Sequence, residues 1–222
     1  KVKLEVTAGQ GIAYSLFYDG RLLLKPSRIA LHTDLPEADH WENIRITGTK
    51  QRHVSETVQA PFYRVKEFGI DCNELELRLN NGFSLLMRAY NDGMAYRFVA
   101  GRKGEMTVVE ERAEFNFADD FEAYIPYSTN PKDPWNMAFQ NFYTKAPLTQ
   151  YNTELPAFLP LTVDAGAVKL TLLESDLEAY PGMFVCGDGK TPALKGVFAA
   201  YPQETFKNKW RCQETVKTRR PY

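Results

Sequence analysis

The sequence predicts an all-β fold, a two-sheet antiparallel β super-sandwich in a single domain over residues 1–222. Three observations carry the prediction. Apolar and polar residues alternate with period two in segment after segment, as they do on strands with one buried face. Turn residues (Gly, Asn, Asp, Pro) punctuate these segments at roughly the 8–12-residue spacing expected of a sandwich or barrel. A helical 3.6 period nowhere persists over a dozen residues. At 222 residues the chain is long enough to bury one sizeable core without covalent staples.

The elements follow in order. KVKLEVTA reads as a strand that turns at Gly9-Gln10-Gly11. Ile12 to Tyr18 and Arg21 to Lys25 form a hairpin around Asp19-Gly20, a dipeptide that tolerates the left-handed conformation a tight turn needs. Ser27 to Leu31 stays extended, and residues 33 to 43 are polar with Pro and read as loop. Ile44 to Ser55 reads as an edge strand, broken by Ala60-Pro61. FYRVKEFGI is expected as a strand of its own, followed by CNELELRL, FSLLMRAY and MAYRFVA, joined by Asn80-Asn81-Gly82 and Asn91-Asp92-Gly93 turns. Met106 to Phe117 alternates again. Residues 118 to 135 read as loop, Phe139 to Tyr151 as extended, and Lys195 to Tyr201 and Trp210 to Val216 as late strands.

Composition excludes several classes of function. The net charge of −1 gives no basic field for nucleic acid or an anionic membrane surface. No apolar run reaches the length of a membrane span. Cys72, Cys186 and Cys212 are too scattered for a disulfide framework or a metal knuckle. His32, His40 and His53 lack metal-ligand spacing, and no nucleophile elbow, phosphate loop or zinc-protease motif is present. Arg88 and Arg97 lie in otherwise apolar strands, where cross-strand pairing with Glu74, Glu76 or Glu111 would accommodate them.

The stretch Val168 to Val185 holds the candidate site. Val168, Leu170, Leu172 and Glu174 share one strand face, so an apolar face ends in a carboxylate. Burying an acid there is costly unless a cation or a set of hydrogen bonds satisfies it. Asp176 and Glu178 follow, then the turn Tyr180-Pro181-Gly182. The same pattern also fits a solvated acid at a strand end. Trp135, Tyr143 and Tyr151, with an aromatic content of 13%, admit a second reading, a stand-alone carbohydrate-binding β-sandwich module. Paired carboxylates for glycoside hydrolysis cannot be chosen from pattern alone, so no catalytic residue is assigned within this chain.

In order, Tyr14-Ser15-Leu16 with Asp19-Gly20 and Ser27, then Asn73-Glu74-Leu75, Arg88 to Arg97, Glu111 to Phe115 and Glu174 to Met183 resemble the N-terminal domain of glycoside hydrolase family 97. The resemblance implies a galactose-mutarotase-like super-sandwich, the non-catalytic N-terminal part of a calcium-dependent exo-acting α-glucosidase or α-galactosidase. It implies a catalytic (β/α)8 barrel of the same polypeptide as partner, an α-linked oligosaccharide as substrate, and the periplasm or bacterial cell surface as location, after loss of a signal peptide. It assigns one site residue to this chain, Glu174, as the carboxylate lent to the calcium beside the sugar pocket; Asp176 and Glu178 would support it or face solvent. The catalytic acid and base would lie in the barrel, so the domain alone is expected to hydrolyse nothing.

Overall fold

The computed structural model describes residues 1–135, 139–177, 180–208 and 213–220, with Asn208 and the last stretch described as backbone. The regular structure of the described residues is almost wholly strand. β1 (Val2–Gly9), β2 (Gly11–Tyr18) and β3 (Arg21–Thr33) form a meander. Asp19 and Gly20, at φ 47° and 79°, both occupy the left-handed region that a two-residue hairpin turn requires. β4 (Ile46–Gln59), β5 (Glu67–Leu79), β6 (Phe83–Ala89) and β7 (Met94–Ala100) form a second meander. β8 (Val108–Asn116) is followed by four short strands, β9 (Glu122–Ile125), β10 (Thr144–Pro147), β11 (Leu161–Asp164) and β12 (Lys169–Leu172). β13 (Met183–Gly187), β14 (Ala193–Phe198), β15 (Tyr201–Asn208) and β16 (Gln213–Arg220) complete the order.

The ladders are antiparallel and sort into a six-stranded sheet, β1-β2-β3-β8-β14-β13, two four-stranded sheets, β4-β5-β6-β7 and β10-β9-β11-β12, and a β15–β16 ribbon. The fold is thus an all-β antiparallel super-sandwich, with its hydrogen bonding divided more finely than a pair of continuous sheets. Prolines explain part of the division. Pro126, Pro147 and Pro160 flank or end three of the four-residue strands and cannot donate to a ladder. Among the described residues there is no α-helix, only single 3-10 turns at Trp41–Asn43 and Leu148–Gln150.

One core joins the three sheets. Ile12, Tyr14, Ile29 and Phe117 from the six-stranded sheet and its flank, Leu77, Leu85 and Met87 from β5 and β6, and Ala123, Leu161 and Val163 from the short strands are all buried in one cluster. Trp41 locks the first two sheets together. Its indole donates to the Leu31 carbonyl at 2.9 Å, and its ring meets Phe83 and Phe98. Burial of each such aromatic removes a large apolar area from water, worth roughly 1.5–3 kcal/mol.

Several expected boundaries move. FYRVKEFGI is not a strand of its own: residues 61–66 turn, and β5 runs unbroken from Glu67 to Leu79. The alternation there does not reflect burial, because Phe62 is fully exposed and Tyr63 and Val65 are exposed at the tip. β9 and β11 fall in stretches with no strand period to read. Trp210 to Cys212 lie outside the described residues, and β16 begins at Gln213.

Arg88 finds the partner its strand position implies. Arg52, Glu74 and Arg88 stand directly opposite one another on β4, β5 and β6. Arg52 Nε donates to one Glu74 oxygen at 2.6 Å and Arg88 Nε to the other at 2.8 Å. Glu74 is only 6% exposed, covered by two guanidinium arms rather than by a packed core. The Arg52 hydrogen bond, helped by that of Arg88, holds its carboxyl below the usual range in spite of partial desolvation. Glu74→Gln is expected to cost about 2 kcal/mol in urea unfolding at pH 7, the scale of a charge-assisted hydrogen bond. A depressed folded-state pKa gives stability that is present above the ordinary carboxylate value of 4.5 and lost as pH falls through the lowered one. The gap between the native chain and Glu74→Gln should therefore close in acid; a gap that stays constant would remove the ion network from the account.

Candidate functional site

Glu174 lies two residues past the end of β12. The ladder stops at Leu172, whose partner is Leu161, rather than running to Glu174 as the alternation suggests. The facing is as expected: Leu172 is buried, Leu173 is 63% exposed, and Glu174 returns to the inner side, half-buried. Asp176 then takes a left-handed conformation, φ 59°, rare for a residue with a Cβ, and the chain reverses toward β13.

The reversal closes on the carboxylate. The Met183 backbone N–H donates to both Glu174 oxygens at 2.9 Å. Two glycines make room. A Cβ on Gly182 would stand 3.3 Å from Glu174 Oε1. A Cβ on Gly196, across the ladder on β14, would stand 2.8 Å from Met183 Sδ and 3.0 Å from the Ala113 Cβ. The bare position at Gly196 leaves room for the Met183 side chain.

A second acid belongs to this site. Along β8 and the residue after it, Phe117, Phe115, Ala113 and Glu111 follow one another on the inner face; the first three are buried and the last is half-buried. Glu111 Oε2 accepts the Tyr180 hydroxyl at 2.7 Å. The Tyr180 ring packs edge-on against Phe198, centroids 5.9 Å apart. Burial pushes the Glu111 carboxyl up to about 7; the Tyr180 hydrogen bond opposes the rise, and the nearby Glu174 charge adds to it. Burial also raises Glu174, with the Met183 amide pulling the other way. Among the described residues no Lys, Arg or His lies within ion-pair distance of either acid. Two carboxylates partly removed from water, near each other and without a cation, are a standing electrostatic cost.

The other candidates are placed as follows. Asp176 stands 4.0 Å from Arg97, both largely exposed, a pair worth little. Glu178 lies outside the described residues. Among the described residues no group of three or more His, Cys, Asp or Glu side chains comes together to hold a metal. Glu174 therefore suits a cation as one oxygen donor, not as a complete site. Cys72 and Cys186 are free thiols, and Cys212 lies outside the described residues. His32 pairs with Asp39 at 2.6 Å, and His53 approaches Asn73 at 3.4 Å.

Of the aromatic residues considered for sugar contact, Tyr151 is in the core, its hydroxyl bonded to the Leu155 and Val185 carbonyls. Trp135 meets Phe184 nearly at a right angle, 83°, and Tyr143 meets Phe139 at 69°. These rings pack edge to face against one another. Two surface cavities, of about 390 and 530 Å3, are lined by residues of β1 to β6, β8 and the Trp41–Asn43 turn, and neither includes Glu174 or Glu111.

Comparison with known proteins decides the family. The model of the glycosyl-hydrolase 97 N-terminal family matches residues 1–218. The chain belongs to that family. It is 37% identical over 211 residues to a retaining alpha-galactosidase of Bacteroides thetaiotaomicron, covering 92% of this chain and 32% of the relative. It is 26% identical over 155 residues to a probable retaining alpha-galactosidase of Streptomyces bingchenggensis, covering 68% and 24%. The chain thus spans a third or less of the length of these curated relatives. In fold it is similar to a beta-arabinopyranosidase (TM-score 0.76, 19% identity, 90% of this chain and 34% of that one). It is similar as well to a glycoside hydrolase family 97 enzyme of Pseudoalteromonas sp. strain K8 solved with panose (TM-score 0.75, 16% identity, 100% and 32%). No helix among the described residues of this family 97 domain is long and apolar enough to cross a membrane.

The raised carboxyl of Glu111 makes a prediction for the family 97 domain kept in chelator. A folded-state pKa of about 7 against the ordinary 4.5 means the native state binds the proton more tightly, so stability falls as pH rises through that interval. Glu174, Tyr180 and Tyr96 are the titratable groups that face it. Glu111→Gln removes the titration while keeping an acceptor for Tyr180. The melting temperature of Glu111→Gln relative to the native chain should climb between pH 4.5 and pH 8; a flat or falling difference would mean that Glu111 ionises freely.

Proposed function

We propose that this domain is the N-terminal, non-catalytic part of a calcium-dependent exo-acting α-glycosidase, and that it lends Glu174 to a calcium ion at the sugar pocket of that enzyme. One observation carries the reading: Glu174 is half withdrawn from water and holds a single backbone amide, with no cationic side chain near it among the described residues. A hard cation is the partner that would offset this burial. Calcium takes six to eight oxygens at 2.3–2.6 Å, far more than one carboxylate supplies. The remaining donors would come from a catalytic (β/α)8 barrel in the same polypeptide, on which the sandwich packs.

The identity to two α-galactosidases supports cleavage of O-glycosyl bonds in α-galactosides as the first substrate class to test, with α-glucosides second. The bound ion would supply a fixed positive charge beside the reacting sugar. The chain's own residues would hold Glu174 in place and shape one wall of the pocket. The periplasm or the bacterial cell surface is the proposed setting, in keeping with the bacterial sources of the relatives.

Calorimetric titration with calcium tests the reading in the barrel-containing polypeptide, with and without Glu174→Gln. The substitution is expected to weaken binding by about tenfold or more, the scale of one lost charged ligand. The 222-residue chain alone should bind calcium weakly or not at all, and should release no phenol from an aryl α-galactoside. Equal calcium affinity with and without the Glu174 charge would remove it from the metal site.

A further inference from the structure

We infer that Glu111, acting through Tyr180, is a positioning residue for Glu174; the inference extends the reading of Glu174 given above. Glu174 belongs to no strand. It stands in the connection between β12 and β13, where among the described residues no ladder holds the backbone. Its orientation depends on the Met183 amide, and Met183 opens β13, an edge strand of the six-stranded sheet. β13 is bridged on its outer side at Val185, by Ala157, and Met183 lies two residues before that bridge, at the strand end next to a Pro-Gly turn, where fraying begins.

The Glu111–Tyr180 bond supplies the fixed point. β8 lies inside the sheet, paired with β3 along Val108–Ala113 and with β14 along Glu114–Asn116, and Glu111 stands opposite Leu31 in the β3 ladder. The 2.7 Å bond from the Tyr180 hydroxyl ties the start of the Tyr180-Pro181-Gly182 turn to this central strand. Pro181 then fixes one backbone angle, Gly182 allows the close pass over Glu174 Oε1, and Met183 delivers its N–H to both carboxylate oxygens. The restraint runs from the sheet centre through Glu111, Tyr180, the turn and Met183 to Glu174. The two ends of the turn are held by the two acids, Glu111 before it and Glu174 after it. This explains why two motifs about seventy residues apart in sequence, the acid of the Glu111–Phe115 strand and the tyrosine of the Glu174–Met183 segment, act as one unit. A carboxylate that completes a coordination shell supplied largely by another domain needs this restraint, since ångström-scale misplacement loses most of the benefit of a preorganised ligand.

Amide hydrogen exchange at Met183 in the 222-residue chain, in chelator, reads the restraint without any metal. Tyr180→Phe deletes the hydroxyl and keeps the ring against Phe198, and Glu111→Ala deletes the acceptor. Both are expected to speed Met183 exchange about tenfold. The Val185 amide, bonded to the Ala157 carbonyl at 2.9 Å, should keep its native rate. Glu111→Gln retains an acceptor for Tyr180 and should restore slow exchange, which a general loosening of the core would not do. Unchanged Met183 exchange in Tyr180→Phe, or equal acceleration at Val185, overturns the inference. Calcium titration of the longer polypeptide keeps the two claims apart. If Glu174→Gln leaves calcium affinity intact, the metal reading fails, while selective loss of Met183 protection in Tyr180→Phe still upholds the restraint. If both readings hold, Tyr180→Phe weakens calcium binding, and does so only when Glu174 is present.

Discussion

An ionised carboxylate at the rim of an apolar strand face must be satisfied or it costs stability, and the region around Glu174 is built under that constraint. Among the described residues the Met183 amide is the one donor the turn gives it, and there Asp176 takes a left-handed backbone and Gly182 carries no side chain. The Met183 side chain occupies space that a side chain at position 196 would need. Local conformation, packing against β14 and the electrostatics of one side chain are thus coupled. The core is centred elsewhere, on Trp41, Phe117 and the inner faces of β2, β3, β5 and β6, with Tyr180 and Met183 packed at its margin.

The acids of this domain divide by how they are satisfied. Glu74 is nearly inaccessible, yet both its oxygens meet guanidinium groups, and its carboxyl is held low. Such a group is structural: it ties three strands together and has nothing left to offer. Glu174 and Glu111 have more accessible surface but more packed protein around them, so desolvation leads and pushes their carboxyls up, and an amide and a phenol offset it less than two guanidinium groups would. Degree of burial alone would have ranked Glu74 as the most unusual acid. The balance between desolvation and partners ranks the other two first.

Much of this was readable in the sequence, and the unread parts have physical causes. Period-two alternation located the long strands, since each has one face in a single core. It located Glu174 as well, though the ladder ends two residues earlier, because the chain keeps its facing after the last rung. The same rule applies to Phe117, Phe115, Ala113 and Glu111, and would have marked Glu111 as a second acid ending an apolar face. Glu111 reads instead as a cross-strand partner for arginine, because its true partner, Tyr180, is distant in sequence and its approach depends on sheet order. β9 and β11 were hard to read because four residues hold no period, and FYRVKEFGI misled because its alternation lies on an exposed tip. The family was legible because weak motifs recur in a fixed order, and order along the chain is what a sequence preserves best.

A ligand shared between two parts of one polypeptide has a thermodynamic consequence under the proposed reading. A cation that needs oxygens from both parts binds only when both are folded and docked, so its binding free energy stabilises the docked state and not the separate pieces. The two raised carboxyls sharpen this dependence. Without the ion, Glu174 and Glu111 oppose each other at the end of two apolar faces; with it, the charge that disfavours their burial is offset. The domain is then least at ease alone and gains most when assembled. That is the arrangement expected of a scaffold whose contribution to chemistry is the exact placement of one carboxylate, and it gives a physical reason for anchoring the turn at Tyr180 to the centre of a sheet rather than to its edge.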